Sequence, residues 1–550
     1  MQTRKWGIKV AILCLCLGVA STCPAKVIHV DVDAPGANDG SSWENAYSYL
    51  QDALMFATAG DEIRVAQGVY RPDEFVLSKR PNLGREETFQ LKNGVNLKGG
   101  YAGFGQTAPN ARDVALYKTI LSGDLNGDDV EVADACDLRN EPSRVENSYH
   151  VVVASGTDSS AVLDGFVVTG GNSGGMHCGY YSATVSDCIF TKNSAVIGGG
   201  MFIGDEATVI NCRFSQNWAD WTGGGISNGG RPVLIDCIIS GNSAGHGGGG
   251  MESFDTEGSA RLTGCVFERN SAEYGGGMFN DESTPTLIYC MFVENSARNS
   301  GGAICNWSWA NLEIINCTFV ANVAGEYGGA IGDPINCGLT TSVTNCTFVG
   351  NLAEKGSALY EGCDHIDHPS GIMLSNSILW DGGHQIWAEK ATTITLDYCN
   401  VLGGRIGIHD PCNVVVWGKG NIDIDPCFAG PGYWDPNGTP EDANDDFWVD
   451  GDYHLKSQAG RWHADEGRWT IDEETSPCID AGDPMSPIGS EPFPNGGVIN
   501  MGAYGGTGEA SKSYFGEPPC EIVVAGDING DCEVNFLDFR FLALHWLEEH

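Results

Sequence analysis

One feature constrains this chain above all others: a motif that returns seven times between Asp187 and Tyr360. It reads C-x-F-x-x-N-x-A, then two to six residues, then G-G-G/A-M/I. Copies begin at Cys188, Cys212, Cys237, Cys265, Cys290, Cys317 and Cys346, at spacings of 24, 25, 28, 25, 27 and 29 residues. The third copy has Ile239 in place of phenylalanine, and the seventh ends in the weaker KGSALY. A repeat of this length is one supersecondary unit that buries its apolar face only by stacking on its neighbours.

Within a copy the local period is two, as in IINCTF, where alternation puts Ile315, Cys317 and Phe319 on one face and Asn316 and Thr318 on the other. Each copy therefore supplies a short strand. A fixed asparagine follows the aromatic by three residues, at Asn193, Asn217, Asn242, Asn270, Asn295, Asn322 and Asn351. Asparagine tolerates turn geometry, and stacked asparagines pass amide hydrogen bonds from copy to copy. The glycine pair provides a second bend. A second strand then begins at Met201, Ile226, Met251, Met278, Ile304 and Ile331. Strands at this spacing, with no helical pattern between them, predict an all-β solenoid, the right-handed parallel β-helix. VLDGFVVTGGN before the repeats, and GIMLSNSILW and ITLDYCNV after them, extend it.

Length and composition agree. At 550 residues the chain exceeds one ordinary core, and 76 glycines suit a coil of many bends. The net charge of -42 repels phosphate backbones and excludes nucleic acid as a partner, while divalent cations are expected ones. Arg4, Lys5 and Lys9 followed by VAILCLCLGVA and STCPA read as a signal peptide over residues 1–25, too short to span a bilayer, so no transmembrane segment is expected in the mature chain. Export to the cell surface or extracellular space follows, and 18 cysteines remain after cleavage. The cysteine column is expected to be a ladder of buried free thiols. Cys305, Cys337, Cys363, Cys399, Cys412, Cys427 and Cys478 fall off that column.

The solenoid is expected to fill residues 26–434. At its start, Trp43, Ala46, Tyr47, Leu50 and Leu54 mark one face of a capping helix, with Ser41 and Glu44 at capping-box spacing. Residues 435–506 form an irregular stretch expected to close the far end, 507–519 a linker, and 520–550 a small module. That module reads GDINGDCEVNFLDF from Gly526. Counted from Asp527, it places Asn529, Asp531, Asn535 and Asp538 at calcium-donor positions, and Glu533 at the position that gives a backbone carbonyl. Cys532 stands at the turn-glycine position, and Cys520, twelve residues earlier, is the candidate partner for a disulfide that closes the loop. SGDLNGDD at Ser122 repeats the donor spacing without the last ligand, since Ala135 falls there.

The GGAI at Gly301 and Gly328 and FVAN at Phe319 resemble the repeats of secreted bacterial β-helix proteins of the polymorphic outer membrane protein type. That resemblance implies export and surface display, and no single activity. The terminal loop and the FLDFRFLALHWL after it resemble one repeat of a type I dockerin, which implies bound Ca2+ and a cohesin-like partner; dockerins carry two such repeats. The fold is also similar to that of pectin-lyase-like polysaccharide lyases, but basic residues do not line up with acidic ones along the repeats, which disfavours a lyase.

Two sets of side chains carry the candidate chemistry. Asp255, Asp281 and Glu282 fall just past the second strand, with Asp255 and Glu282 at equivalent positions one turn apart, as a shared cation site or a glycosidase pair requires. Trp221, Tyr274, Trp307, Trp309 and Tyr327 recur near the glycines, where exposed rings stack on sugars. The leading expectation is a surface protein that binds carbohydrate or another surface component through these rings and attaches by its tail. The alternatives are a polysaccharide-degrading enzyme and a purely structural coat.

Overall fold

The computed structural model describes residues 25–77, 82–180, 183–254, 259–335, 340–362, 370–389, 392–439 and 445–516, together with Val534, Phe536, Phe539 and Arg540. The calcium donors Asp527, Asn529, Asp531, Glu533, Asn535 and Asp538, the cysteines Cys520 and Cys532, and Asp255 lie outside the described residues.

One turn of the coil shows the whole plan. Thr208–Ile210 lies on face one, Arg213–Ser215 on face two, Trp218–Thr222 on face three and Ile226–Asn228 on face four, and Val233–Ile235 returns to face one. Every face is a parallel sheet in which each strand pairs with its equivalent one turn away, giving sheets of 14, 12, 6 and 12 strands for faces one to four among the described residues. This is a parallel β-helix.

Sharp corners come from single residues in the left-handed region. Asn211 (φ 50°) separates faces one and two, and Gln216 (φ 54°) separates faces two and three. Asn316 (φ 52°) and Ala321 (φ 51°) repeat the pattern four turns on. The corner resets the alternation. In IINCTF the inward residues are therefore Ile314, Cys317 and Phe319, and Ile315 is only half-buried, contrary to the simple period-two reading. The ladder asparagine also follows the left-handed residue instead of being it. The bend into face four uses glycine pairs: at Gly224 a Cβ would lie 2.3 Å from the Ser243 carbonyl oxygen of the next turn, so only glycine lets the turns close.

The interior is built from columns. Cys188, Cys212, Cys237, Cys265, Cys290, Cys317 and Cys346 are buried free thiols. Ser377 takes the next rung, donating no thiol but accepting from the Cys346 N–H at 3.1 Å, and Cys399 resumes the column, correcting its expected place off it. Phenylalanine rings stack above one another, with centroids 4.7 Å apart for both Phe267–Phe292 and Phe319–Phe348. Each such ring contributes about 1.5–3 kcal/mol by burial.

The asparagine column forms a continuous ladder. Asn270 Nδ2 donates to Asn295 Oδ1 at 2.9 Å and to the Ile239 carbonyl at 2.8 Å, while its backbone N–H reaches the same Asn295 oxygen at 3.1 Å. The geometry recurs from Asn193 to Asn351. Each buried amide is thereby satisfied by its neighbours, which fixes the register of one turn on the next.

The ends differ from expectation in two respects. The helix is limited to Leu50–Phe56, and the capping box is absent: Tyr49 caps without a side-chain bond. Trp43, Ala46 and Tyr47 are buried, but from extended and turn backbone, because Tyr47 exchanges backbone bonds with His29 and Asp31. The segment expected to close the far end instead runs along the outside of face two. Its Trp448, Tyr453, Leu455, Ile479 and Met501, together with Phe428 just before it, pack on Val320, Val349 and Ile378. Asn316 Nδ2 clamps this flank by donating to the carbonyls of Ala503 and Gly505 at 2.8 and 2.7 Å.

Candidate functional site

Face four carries the site, and its alternation explains why. In each strand the first and third residues point into the coil and the second points out. The inward third positions form a second polar column. Asn228 donates to Ser253 at 3.1 Å and Asn280 to Asn306 at 3.0 Å. Asp333 and Glu361 follow, both fully buried, and burial with the neighbouring Asp333 holds the Glu361 carboxyl well above its ordinary value. This pair serves the interior.

The outward second positions are Phe202, Ser227, Glu252, Phe279, Cys305, Gly332, Tyr360, Trp387 and His409, in register from turn to turn. Beside them run residues from the bend before each strand. Trp221 stacks on His246 with centroids 4.3 Å apart. His246 contacts Tyr274 at 5.3 Å and Phe279 at 5.7 Å, and Tyr274 meets Trp307 edge-on at 4.9 Å. A second group follows across the small floor of Cys305 and Gly332. There Tyr327 and Tyr360 lie 4.5 Å apart, Lys355 Nζ is 5.0 Å from the Tyr327 ring and 5.6 Å from Trp387, and Trp387 stacks on His409 at 3.6 Å. Eight successive strands, from Ile226–Asn228 to Ile408–His409, thus carry an aromatic belt of roughly 34 Å, at about 4.8 Å per turn.

Two carboxylates border the first ring group. Glu252 is 8% exposed and accepts from the Ser227 hydroxyl at 2.8 Å. Burial pushes its carboxyl above the ordinary value, and the Asp281 charge adds to the rise. Asp281, two positions along the next strand and on the same side, is also raised, first by burial and then by Glu282, with His246 opposing. Strand rise and spacing put their Cα atoms about 8 Å apart. Two neighbouring carboxyls, both raised by burial, are groups of the type that general acid–base chemistry uses.

The sequence candidates divide accordingly. Trp221, Tyr274 and Trp307 come together, and Tyr327 joins the second group. Trp309 lies in the following turn, 46% exposed with φ 52°. Of the carboxylates, Asp281 faces the belt, whereas Glu282 is an exposed left-handed corner residue whose N–H donates to the Ser308 carbonyl at 2.7 Å. The in-register partner of Asp281 is Phe254, and the carboxylate that accompanies it is Glu252, which the sequence reading passed over. Glu252 immediately follows the inward Met251, so alternation alone marked it as outward. Phe279, Tyr360 and Trp387 were missed for want of the same step.

The SGDLNGDD loop is joined in space by one further carboxylate, Glu146. Asp124, Asp128 and Glu146 bring ligand atoms within 4.8 Å of one another. Asp124 Oδ1 also accepts from the N–H groups of Gly127 and Asp128, at 2.7 and 3.1 Å, and Arg144 pairs with Asp129 at 2.9 Å. No helix among the described residues is long and apolar enough to cross a membrane.

Comparison with known proteins agrees on the architecture. The family model described as right handed beta helix region matches residues 141–353, which gives the coil its hand. The structure is similar to pectate lyase Pel9A at 12% identity, covering 88% of this chain and 96% of that one with a TM-score of 0.41. It is also similar to the catalytic unit of a GH87 alpha-1,3-glucanase from Streptomyces thermodiastaticus strain HF3-3, at 14% identity, 72% and 69% coverage and a TM-score of 0.42. For the PL6 family alginate lyase AlyGC the values are 10%, 82% and 57%, and 0.38. No curated protein sequence matched the chain. At these identities and TM-scores the likenesses carry no conclusion about function.

Proposed function

We propose that this chain is an exported β-helix protein that binds a polysaccharide along the belt of face four and attaches elsewhere through its C-terminal module. One observation carries the reading: Trp221, His246, Tyr274 and Trp307 form a contiguous ring cluster over successive turns, packed on the buried Phe279 and edged by Glu252 and Asp281. Sugar rings present apolar C–H faces to aromatic surfaces and hydroxyls to carboxylates, so this pairing of groups suits them. The coil supplies rigidity, which keeps the ordering entropy of binding small.

The tail belongs to the same reading. Asp527, Asn529, Asp531, Asn535 and Asp538, with the Glu533 carbonyl, would hold Ca2+, the Cys520–Cys532 pair would close the loop, and the following helix would present the surface to a cohesin-like protein. Calcium there supplies folding energy for a module too small to hold its own core.

Affinity electrophoresis of the full chain through gels containing different polysaccharides tests the binding. Retardation in at least one, lost in Trp221→Ala, supports it; free migration in all of them rejects it. A second reading, glycoside hydrolysis with Glu252 as acid and Asp281 as its partner, is favoured by the raised carboxyls. Release of reducing ends that disappears in Asp281→Asn would establish that reading; binding without release would exclude it.

A further inference from the structure

The charges along the belt identify a substrate class. Resting on the glycan reading above, we propose that the belt takes an uncharged polysaccharide, one sugar per turn along the coil axis, and rejects uronates. Glu252 and Asp281 edge the first ring group, with Glu282 on the exposed corner next to Asp281. Glu326, Glu354 and Glu389 act together on the Tyr327 phenol at the second, and Glu389 also holds the Trp387 indole N–H at 2.9 Å. Against six carboxylates, Lys355 is the only lysine or arginine in contact with these rings among the described residues. Its ammonium is already placed over Tyr327 and Trp387.

A uronate on each turn would bring one further negative charge beside these acids, two of which already resist ionisation because of burial. Repulsion between like charges a few ångströms apart, partly screened where Glu326 and Glu354 are exposed, lowers affinity by about an order of magnitude. A neutral pyranose meets no such barrier, and its hydroxyls donate to the same carboxylates. The contrast is read at pH 8, where uronates are fully ionised.

Isothermal titration of the full chain at pH 8, with length-matched neutral glucan, mannan and xylan oligosaccharides and with oligogalacturonate and oligoalginate, each with and without calcium, tests this. A neutral oligosaccharide binding at least tenfold more tightly than either uronate is the expected result. Uronate binding as tight or tighter, in either calcium condition, overturns the inference while leaving glycan binding intact. No binding by any oligosaccharide rejects both. Glu326→Gln/Glu354→Gln is expected to raise uronate affinity severalfold; an unchanged value contradicts the charge argument.

Discussion

Asn351 closes the asparagine ladder on Asp381: its Nδ2 donates to Asp381 Oδ1 at 2.9 Å and its backbone N–H reaches the same oxygen at 2.7 Å. An amide is therefore read by a carboxylate at the last rung. Burial pushes that carboxyl up to about 7 from 3.8, and its second oxygen has no partner. A raised carboxyl favours the folded state while protonated, so this contribution is complete below about pH 4 and is lost as pH rises through 7. Asp381→Asn is expected to raise the unfolding free energy from urea titration at pH 8, by up to about 4 kcal/mol, and to change it little at pH 4. An equal shift at both pH values contradicts the assignment.

The middle of the ladder behaves differently. Asn270→Ala removes the oxygen that accepts from both the backbone N–H and Nδ2 of Asn242. Two buried donors lose their acceptor, and stability is expected to fall by about 2–4 kcal/mol with little dependence on pH. Measured loss below about 1 kcal/mol would show that the ladder is ornament to the strand pairing.

The thiol column makes a chemical prediction. Burial pushes Cys399 up to about 12, and raises Cys290 and Cys317 well above the ordinary thiol value. Thiolate is the reactive form, so these groups are expected to resist alkylation in the native protein. Among the described cysteines, exposed Cys412 should label first and half-exposed Cys136 and Cys427 after it, by peptide mass mapping. Native labelling of Cys265 or Cys290 at the Cys412 rate would contradict the packing.

These columns were legible in the sequence because a repeat exposes its own periodicity: cysteine, phenylalanine and asparagine each recur at one place per copy. The corners were not. Asn211 and Gln216 adopt left-handed backbone, yet the same places are held by Tyr289, Lys192 and Arg269, side chains with no turn preference. Sheet pairing on both sides imposes the conformation there, against local propensity. The short helix was overread for a related reason, since Tyr47 serves a strand bridge while keeping helical spacing with Leu50 and Leu54. Glu252 was recoverable, but only by carrying alternation one residue past the methionine.

The calcium module is separable by experiment. A peptide covering Glu517 to His550 is expected to gain helix by circular dichroism on adding calcium, and Asp527→Ala to abolish that gain. An unchanged spectrum rejects a calcium loop there.

The most direct measurement compares two tryptophans in one titration. With the best-bound glycan from the gel survey, Trp307→Ala is expected to weaken affinity at least tenfold, the loss typical of a stacking aromatic at a binding surface. Trp462→Ala, which removes a ring paired with Trp469 at 5.5 Å on the flanking hairpin, should leave affinity unchanged. Equal affinity for Trp307→Ala and the unaltered chain, with both proteins folded, would contradict the belt as the glycan surface.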